Sequence, residues 1–216
     1  MRTISQAVEE VLARSPFLME AIAEGIANNA QVARRIKPDI EKRLYEEVSE
    51  GAIAMALHRM ARDIKRPQYG SKFLQKMSDI TVRSNLVEFS FPNSADALEA
   101  IEGVSKKAYR LKDAFFNLSR GVREVLLVVN AELAEDVSAA FKNTGNVVRL
   151  DGLSAITMRL PEESLSVPGV YHPILKALAM EGISFVEVMS IRTEFSIIFE
   201  NKDVDRAFSV LKRITS

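Results

Sequence analysis

The residues that could do chemistry in this chain are few, and the strongest pair is Pro168-Gly169. Glycine lets backbone come close to a ligand, and the N–H groups and positive dipole end of a helix beginning near Val170 can receive a carboxylate. Val167 and Tyr171 flank the pair and offer an apolar and an aromatic surface for the rest of a small molecule. By itself Pro-Gly is also what a plain tight turn requires. The two histidines, His58 and His172, lie far apart with no acidic partner at ligand spacing, so neither a metal centre nor histidine catalysis is expected. Glu46-Glu47 and Glu162-Glu163 read as solvated acids. The chain has no Gly-rich phosphate loop and no Gly-x-Ser-x-Gly elbow. No catalytic residue, metal or cofactor is therefore expected.

A second group of residues could hold an anion of another kind. Arg34, Arg35, Lys37, Lys42 and Arg43 cluster before a helix, and Arg59, Arg62, Lys65 and Arg66 follow along it, as contacts to nucleic-acid phosphates require. Glu46, Glu47 and Glu50 stand at the entry of that same helix, where contacts to DNA would fall. A helical bundle that mediates dimerisation or caps the sheets explains the segment somewhat better.

The elements that must position these groups follow from composition and period. The 216 residues carry a formal net charge of +0, with 47% hydrophobic and 27% charged residues, so the chain reads as two or three small globular modules with no whole-chain attraction to nucleic acid or membrane. There is no Cys, hence no disulfide framework. Residues 1–11 lack the apolar core of a secretory signal, and no apolar run is long enough to cross a bilayer as a helix, so a cytoplasmic location is the expectation.

Residues 1–66 read as helices: 4–12, a second from Ser15-Pro16 through Ile26, a short one over 30–36 closed by Lys37-Pro38, one from Asp39 through Val48, and one over 50–64. The last is apolar on nearly every side over 51–57. Residues 67–77, with Pro, Gly and polar content at 66–71, read as a linker. The period then changes. Val87, Phe89 and Phe91 alternate as a strand, whereas Ile80 and Val82 hold the opposite parity, which predicts a kink or bulge near Ser84-Asn85. A helix over 94–111, strands over 114–119 and 122–129, and a helix over 131–142 ending at 143–145 complete a first module, residues 78–150.

The same order recurs in residues 151–216: strand 153–160, helix 170–181 stopped by Gly182, strands 183–190 and 193–200, and helix 203–214. This second copy lacks a fourth strand downstream. Asp151-Gly152 reads as a type I′ hairpin turn, which would fold 146–150 back beside 153–160 to supply it.

With these elements in place, the sequence resembles the ACT family of regulatory modules. The residues that carry the resemblance are 155–160 (AITMRL), 167–170 (VPGV), 174–182 (ILKALAMEG), 183–190 (ISFVEVMS), 193–200 (TEFSIIFE) and 203–211 (DVDRAFSVL). The tandem pair is similar to the regulatory region of aspartate kinases, and no kinase domain fits in the residues available. The resemblance implies two ferredoxin-like βαββαβ modules with helices on one face; with residues 1–66, whose helices 30–36 and 52–62 resemble part of a winged-helix domain, the chain is expected to be α+β with an N-terminal α-helical, winged-helix-like domain. It further implies a non-catalytic regulatory protein that binds an amino acid at Val167, Pro168, Gly169, Val170, Tyr171 and Ser184, and that forms a homodimer or larger assembly. Ser184 stands where many members have Asn, and residues 161–166 are an insertion. The first copy's junction, residues 91–96, has no Pro-Gly and reads as structural. Two outputs are consistent with this frame: control of DNA through Arg34, Arg35, Lys42, Arg43, Arg59 and Arg62, or a regulatory subunit acting on a biosynthetic enzyme by protein contact.

Overall fold

The computed structural model describes residues 2–63, 71–142 and 146–215. Lys65, Arg66, most of the 66–71 segment and the expected helix stop at 143–145 lie outside the described residues. The chain divides into two compact units, Met1–Gln68 and Tyr69–Ser216.

The first unit is built from α1 (Ile4–Ala13), α2 (Pro16–Ala23), α3 (Asn29–Leu44) and α4 (Glu50–Asp63). Thr3 and Gln6 close a reciprocal capping box at the start of α1, and Asn28 caps α3 by accepting from the amides of Ala30 and Gln31. The expected break at Lys37-Pro38 does not occur: α3 runs through Pro38, and Asp39 lies inside the helix. An interior proline costs about 3 kcal/mol, but Val32, Ala33, Ile36 and Ile40 all lie on the buried stripe that spans it, and their burial outweighs the lost hydrogen bond. Helix α4 buries Ile53, Ala56 and Leu57, while Met55 is 63% exposed, so its apolar run is covered on one side only. Among the described residues this unit contains no strand, so the winged-helix-like expectation lacks its wing there.

The second unit comprises α5 (Ser71–Leu74), β1 (Ser78–Pro92), α6 (Ala95–Arg110), β2 (Phe116–Arg120), β3 (Glu124–Asn130), α7 (Ala134–Ala140), β4 (Val148–Arg159), α8 (His172–Met180), β5 (Glu187–Ile191), β6 (Glu194–Glu200) and α9 (Val204–Thr215). The strands form one antiparallel sheet in the order β2-β3-β1-β4-β6-β5. Helices α6 and α7 cover Val87, Phe89, Phe91, Val125, Leu127 and Val129, while α8 and α9 cover Ile156, Met158, Phe195, Ile197 and Phe199. Leu74 of α5 is buried in that second core, with Met77 against it, so residues 71–77 belong to the module rather than to a linker. Among the described residues no helix is long and apolar enough to cross a membrane.

The expected hairpin at Asp151-Gly152 is absent; β4 passes straight through it. Gly152 has φ +74°, but Asp151 is not left-handed, and a type I′ turn needs both. The Asp151 carboxylate instead binds the guanidinium of Arg149, two residues back on the same strand, at 2.8 and 2.9 Å. Residues 148–150 pair with Ser90, Phe89 and Glu88 of β1, completing the first module, whereas Ser78, Thr81, Val82 and Arg83 pair with the second half of β4. The missing fourth strand of the second module is thus the first half of β1, at the start of the residues expected to form the first module. The boundary at residue 150 separates the modules only in part, because each long strand serves both. The register slips between Arg83 and Leu86, where Asn85 takes φ +58°, as the parity change in the sequence requires.

The sheet face away from the helices carries a further core of Leu86, Val128, Leu153, Ala155, Met189 and Ile198, with Phe115, Leu126 and Val186 against it. Residues of β1, β3, β4, β5 and β6 all contribute to it, so this core runs across both halves of the sheet.

Candidate functional site

The junction between β4 and α8 is a 3₁₀ turn, Glu162–Ser166, followed by the bend at 167–171. Gly169 has φ +73°, the left-handed conformation that favours glycine, and its carbonyl accepts from the His172 amide at 3.0 Å. Helix α8 therefore begins at His172 rather than near Val170, and Pro173 brings no N–H. The amides at this end of the helix that an anion could meet are those around Val170 and Tyr171. Ser164, Leu165, Val167, Gly169, Val170, Tyr171 and His172 line a cavity of about 290 Å³. One of these side chains is chemically exceptional. Ser164 is only 2% exposed, and its hydroxyl has no hydrogen-bond partner among the described residues. Tyr171 is held rigidly: its ring stacks on Phe195 with centroids 4.3 Å apart, and its hydroxyl lies 2.8 Å from that of Ser190.

The corresponding junction of the first module is closed by its own side chain. Ser94 caps α6 by accepting from the Ala97 amide at 3.2 Å, and Asp96 adds a negative charge in the first turn. That helix end is satisfied from within.

No family model matches the chain, and a search of curated proteins finds no relative. Solved structures do match about two thirds of the chain. The regulatory subunit of aspartate kinase from Thermus thermophilus superposes with a TM-score of 0.54 at 11% identity, covering 65% of this chain and 99% of that one. Over that stretch the fold is that of the aspartate kinase regulatory subunit. The corresponding subunit from Thermus flavus gives a TM-score of 0.51 at 9% identity, over 65% of this chain and 99% of that one. Clostridium acetobutylicum aspartate kinase, described as an allosteric enzyme, gives 0.54 at 12% identity over 65% of this chain. The match spans 35% of the Clostridium chain.

Within this fold, the expected ligand residues are not all together. Val167, Gly169, Val170 and Tyr171 line the cavity, but Pro168 and Ser184 are not among its lining residues. Ser184 follows the C-terminal end of α8, and nine residues of helix, about 13 Å, separate it from the junction. Ser190 reaches the site instead, through Tyr171. The insertion 161–166 turns out to supply Ser164; sequence reasoning missed it because nothing local distinguishes a buried serine in a short helical turn from a solvated one. Glu162 of the same insertion faces Arg192 at 3.4 Å.

Of the basic residues in the helical unit, several are engaged within it. Arg34 pairs with Glu50 at 3.4 Å, Arg43 lies 3.8 Å from Glu10 and donates to the Asp39 carbonyl, and Arg59 donates to Ser5. Arg62 lies 3.4 Å from His58, while Arg35 and Lys42 are exposed. Among the described residues no cluster of three or more His, Asp or Glu could hold a metal ion.

Proposed function

We propose that the protein is a non-catalytic, cytoplasmic regulator that senses an amino acid in the cavity before α8. The observation that carries this reading is the Ser164 hydroxyl, buried at the helix end beside the left-handed Gly169. A buried hydroxyl without a partner costs about 1–3 kcal/mol, and a polar ligand group in the cavity would recover that. The carboxylate goes to the amides around Val170 and Tyr171, close to the dipole end of α8. Occupancy bears on Tyr171 and so on Phe195 of β6 and Ser190 of β5, the route by which ligand alters the arrangement of modules or subunits.

The output runs through the helical unit. Control of DNA, with Arg35 and Lys42 as exposed phosphate contacts, is one reading. A regulatory subunit acting by protein contact is the other, and two observations favour it: Arg34, Arg43 and Arg59 are turned onto their own unit, and Phe17, Ile26 and Met55 are 72%, 74% and 63% exposed.

A thermal-shift screen of the full chain against the proteinogenic amino acids tests the sensing role. A ligand at a hundred times its dissociation constant stabilises by about 2.7 kcal/mol, and Gly169→Leu should remove the part of that gain that the cavity before α8 supplies. Silence across the whole set overturns the reading.

A further inference from the structure

A second cavity of the second unit, about 660 Å³, lies elsewhere, on the sheet face away from the helices. Cross-strand register builds it in rows. Thr81 of β1, Thr157 of β4, Ser196 of β6 and Met189 of β5 are aligned in one row, with the Thr157 and Ser196 hydroxyls 2.7 Å apart. On one side of this hydroxyl row the surface becomes apolar, through Ala155 and Ile198, into the core that Phe115 and Met189 share. On the other side, Arg159 of β4 faces Glu194 of β6 across the strands. The floor therefore grades from hydrocarbon through neutral hydroxyls to charge.

The walls are the segment leading into β2 and the β5–β6 turn. Arg83 donates to the Asp113 carbonyl, tying the first wall to the sheet. Six non-glycine residues in the described chain have left-handed backbone, and three of them, Asp79, Asp113 and Arg192, line this one cleft. Such conformations are costly and concentrate where a site is shaped for use. Three guanidinium groups, Arg83, Arg159 and Arg192, are matched by three carboxylates, Asp79, Asp113 and Glu194. A cleft with both signs of charge at its rim, hydroxyls on its floor and an apolar end is complementary to a dipole, not to a simple anion or cation.

We infer that this cleft is a second ligand site, separate from the cavity before α8, for a small zwitterion carrying a carboxylate and an ammonium group on a short apolar frame. The frame lies toward Met189 and Phe115, the hydroxyl row accepts and donates beside it, and the charged groups meet Arg159 and Glu194 at the rim.

The test is made in the Gly169→Leu background, which removes the other cavity without touching this one. Proteinogenic amino acids at millimolar concentration are titrated into that variant by calorimetry, and the best binder is compared with its carboxamide and with its deaminated acid. Binding should survive in Gly169→Leu, weaken about tenfold or more for both analogues because each leaves buried or rim charges unanswered, and weaken similarly when Thr157→Val and Ser196→Ala are introduced together. Replacing both hydroxyls at once leaves no orphaned partner, so the fold is kept. Arg159→Gln, on an exposed side chain, provides an independent loss of affinity. Four results each overturn the inference: no amino acid binding to Gly169→Leu, equal binding of either analogue, unchanged affinity in the paired hydroxyl variant, or unchanged affinity in Arg159→Gln. Binding by the wild type that Gly169→Leu abolishes would leave the sensing role at α8 standing and remove the cleft; the same stoichiometry and affinity in the wild type and in Gly169→Leu would leave the cleft standing and remove the α8 site.

Discussion

Leu86 of β1 and Leu153 of β4 face each other across the antiparallel pair, both fully buried, with a register slip on either side of them. On one side β1 has the extra residue, at Asn85; on the other β4 has it, at Gly152. The pair is the hinge pin of the second unit, because the segments on either side of it belong to different modules. Truncating Leu153 to Ala should cost about 3 kcal/mol. Because β1 and β4 carry both modules, urea unfolding should shift as a whole in one transition. Two separated transitions, with only one moved, would show that the modules are energetically independent.

The slips themselves should be sensitive to residue type. Gly152 has φ +74°, and an added Cβ would meet only Asn201 Nδ2 at 3.8 Å, so space is not the constraint and backbone strain is. Gly152→Val should lose roughly 1–2 kcal/mol. Asn85 tolerates its left-handed φ as asparagine does, so Asn85→Gly should change stability little while Asn85→Val should lose a comparable amount. Equal stabilities for Asn85→Gly and Asn85→Val, read from chemical denaturation, would mean that strain is relieved elsewhere.

Much of this unit was legible in the sequence, and the failures have physical reasons. The parity change between Ile80/Val82 and Val87/Phe89 announced the bulge at Asn85, because alternation along a strand is a local property. The Asp-Gly pair misled because Arg149 competes for Asp151 with a two-pronged hydrogen bond, and it also reaches Glu135 and lies 5.6 Å from the Phe89 ring. Strand exchange between the modules could not be read at all: pairing Thr81 with Thr157 is a relationship across most of the unit, with no trace in either segment. In the site, Gly169 carried a local signal and Ser164 none.

Glu88 makes stability depend on pH. It lies half-buried on the helix-free face between Val128 and Leu150, where burial first and the Glu187 carboxylate second push its pKa up to about 7. The unfolded chain releases this proton at an ordinary carboxylate pKa, so between those two values the folded state holds more protons. Stability should therefore fall as pH rises through that window and level off above neutrality. Allowing for solvent screening of a half-exposed group, the loss is roughly 1 kcal/mol. Glu88→Gln should flatten the slope and be the more stable protein at alkaline pH. An unchanged slope in denaturation curves across the window would assign it to another group.

The chain should assemble as a dimer or larger. Strand β5 is an edge, and it leaves Val188 and Ile191 at 38% and 61% exposure, the kind of open apolar edge that a second copy covers. A monomeric mass by light scattering at micromolar concentration would refute this. If the dimer forms through β5, Val188→Lys should dissociate it without unfolding the monomer.

Ser164→Ala separates a structural serine from one kept for a ligand. If the hydroxyl served the fold, removing it would break a hydrogen bond and lower stability; here it has no partner among the described residues. Alanine removes a desolvated polar atom and leaves the 3₁₀ turn intact, since the turn is held by the Ser164 amide on the Pro161 carbonyl and the Val167 amide on the Ser164 carbonyl. The ligand-free variant should therefore be more stable than the parent by about 1 kcal/mol. The same change should weaken amino-acid binding about tenfold, because the ligand group that would answer the hydroxyl is then the one left unpaired. Opposite signs in the two measurements, a higher melting temperature without ligand and a smaller ligand-induced shift, are what a residue retained for binding at the expense of stability must give. A variant that is less stable and binds equally well would return Ser164 to the scaffold and place the polar contact of the site elsewhere.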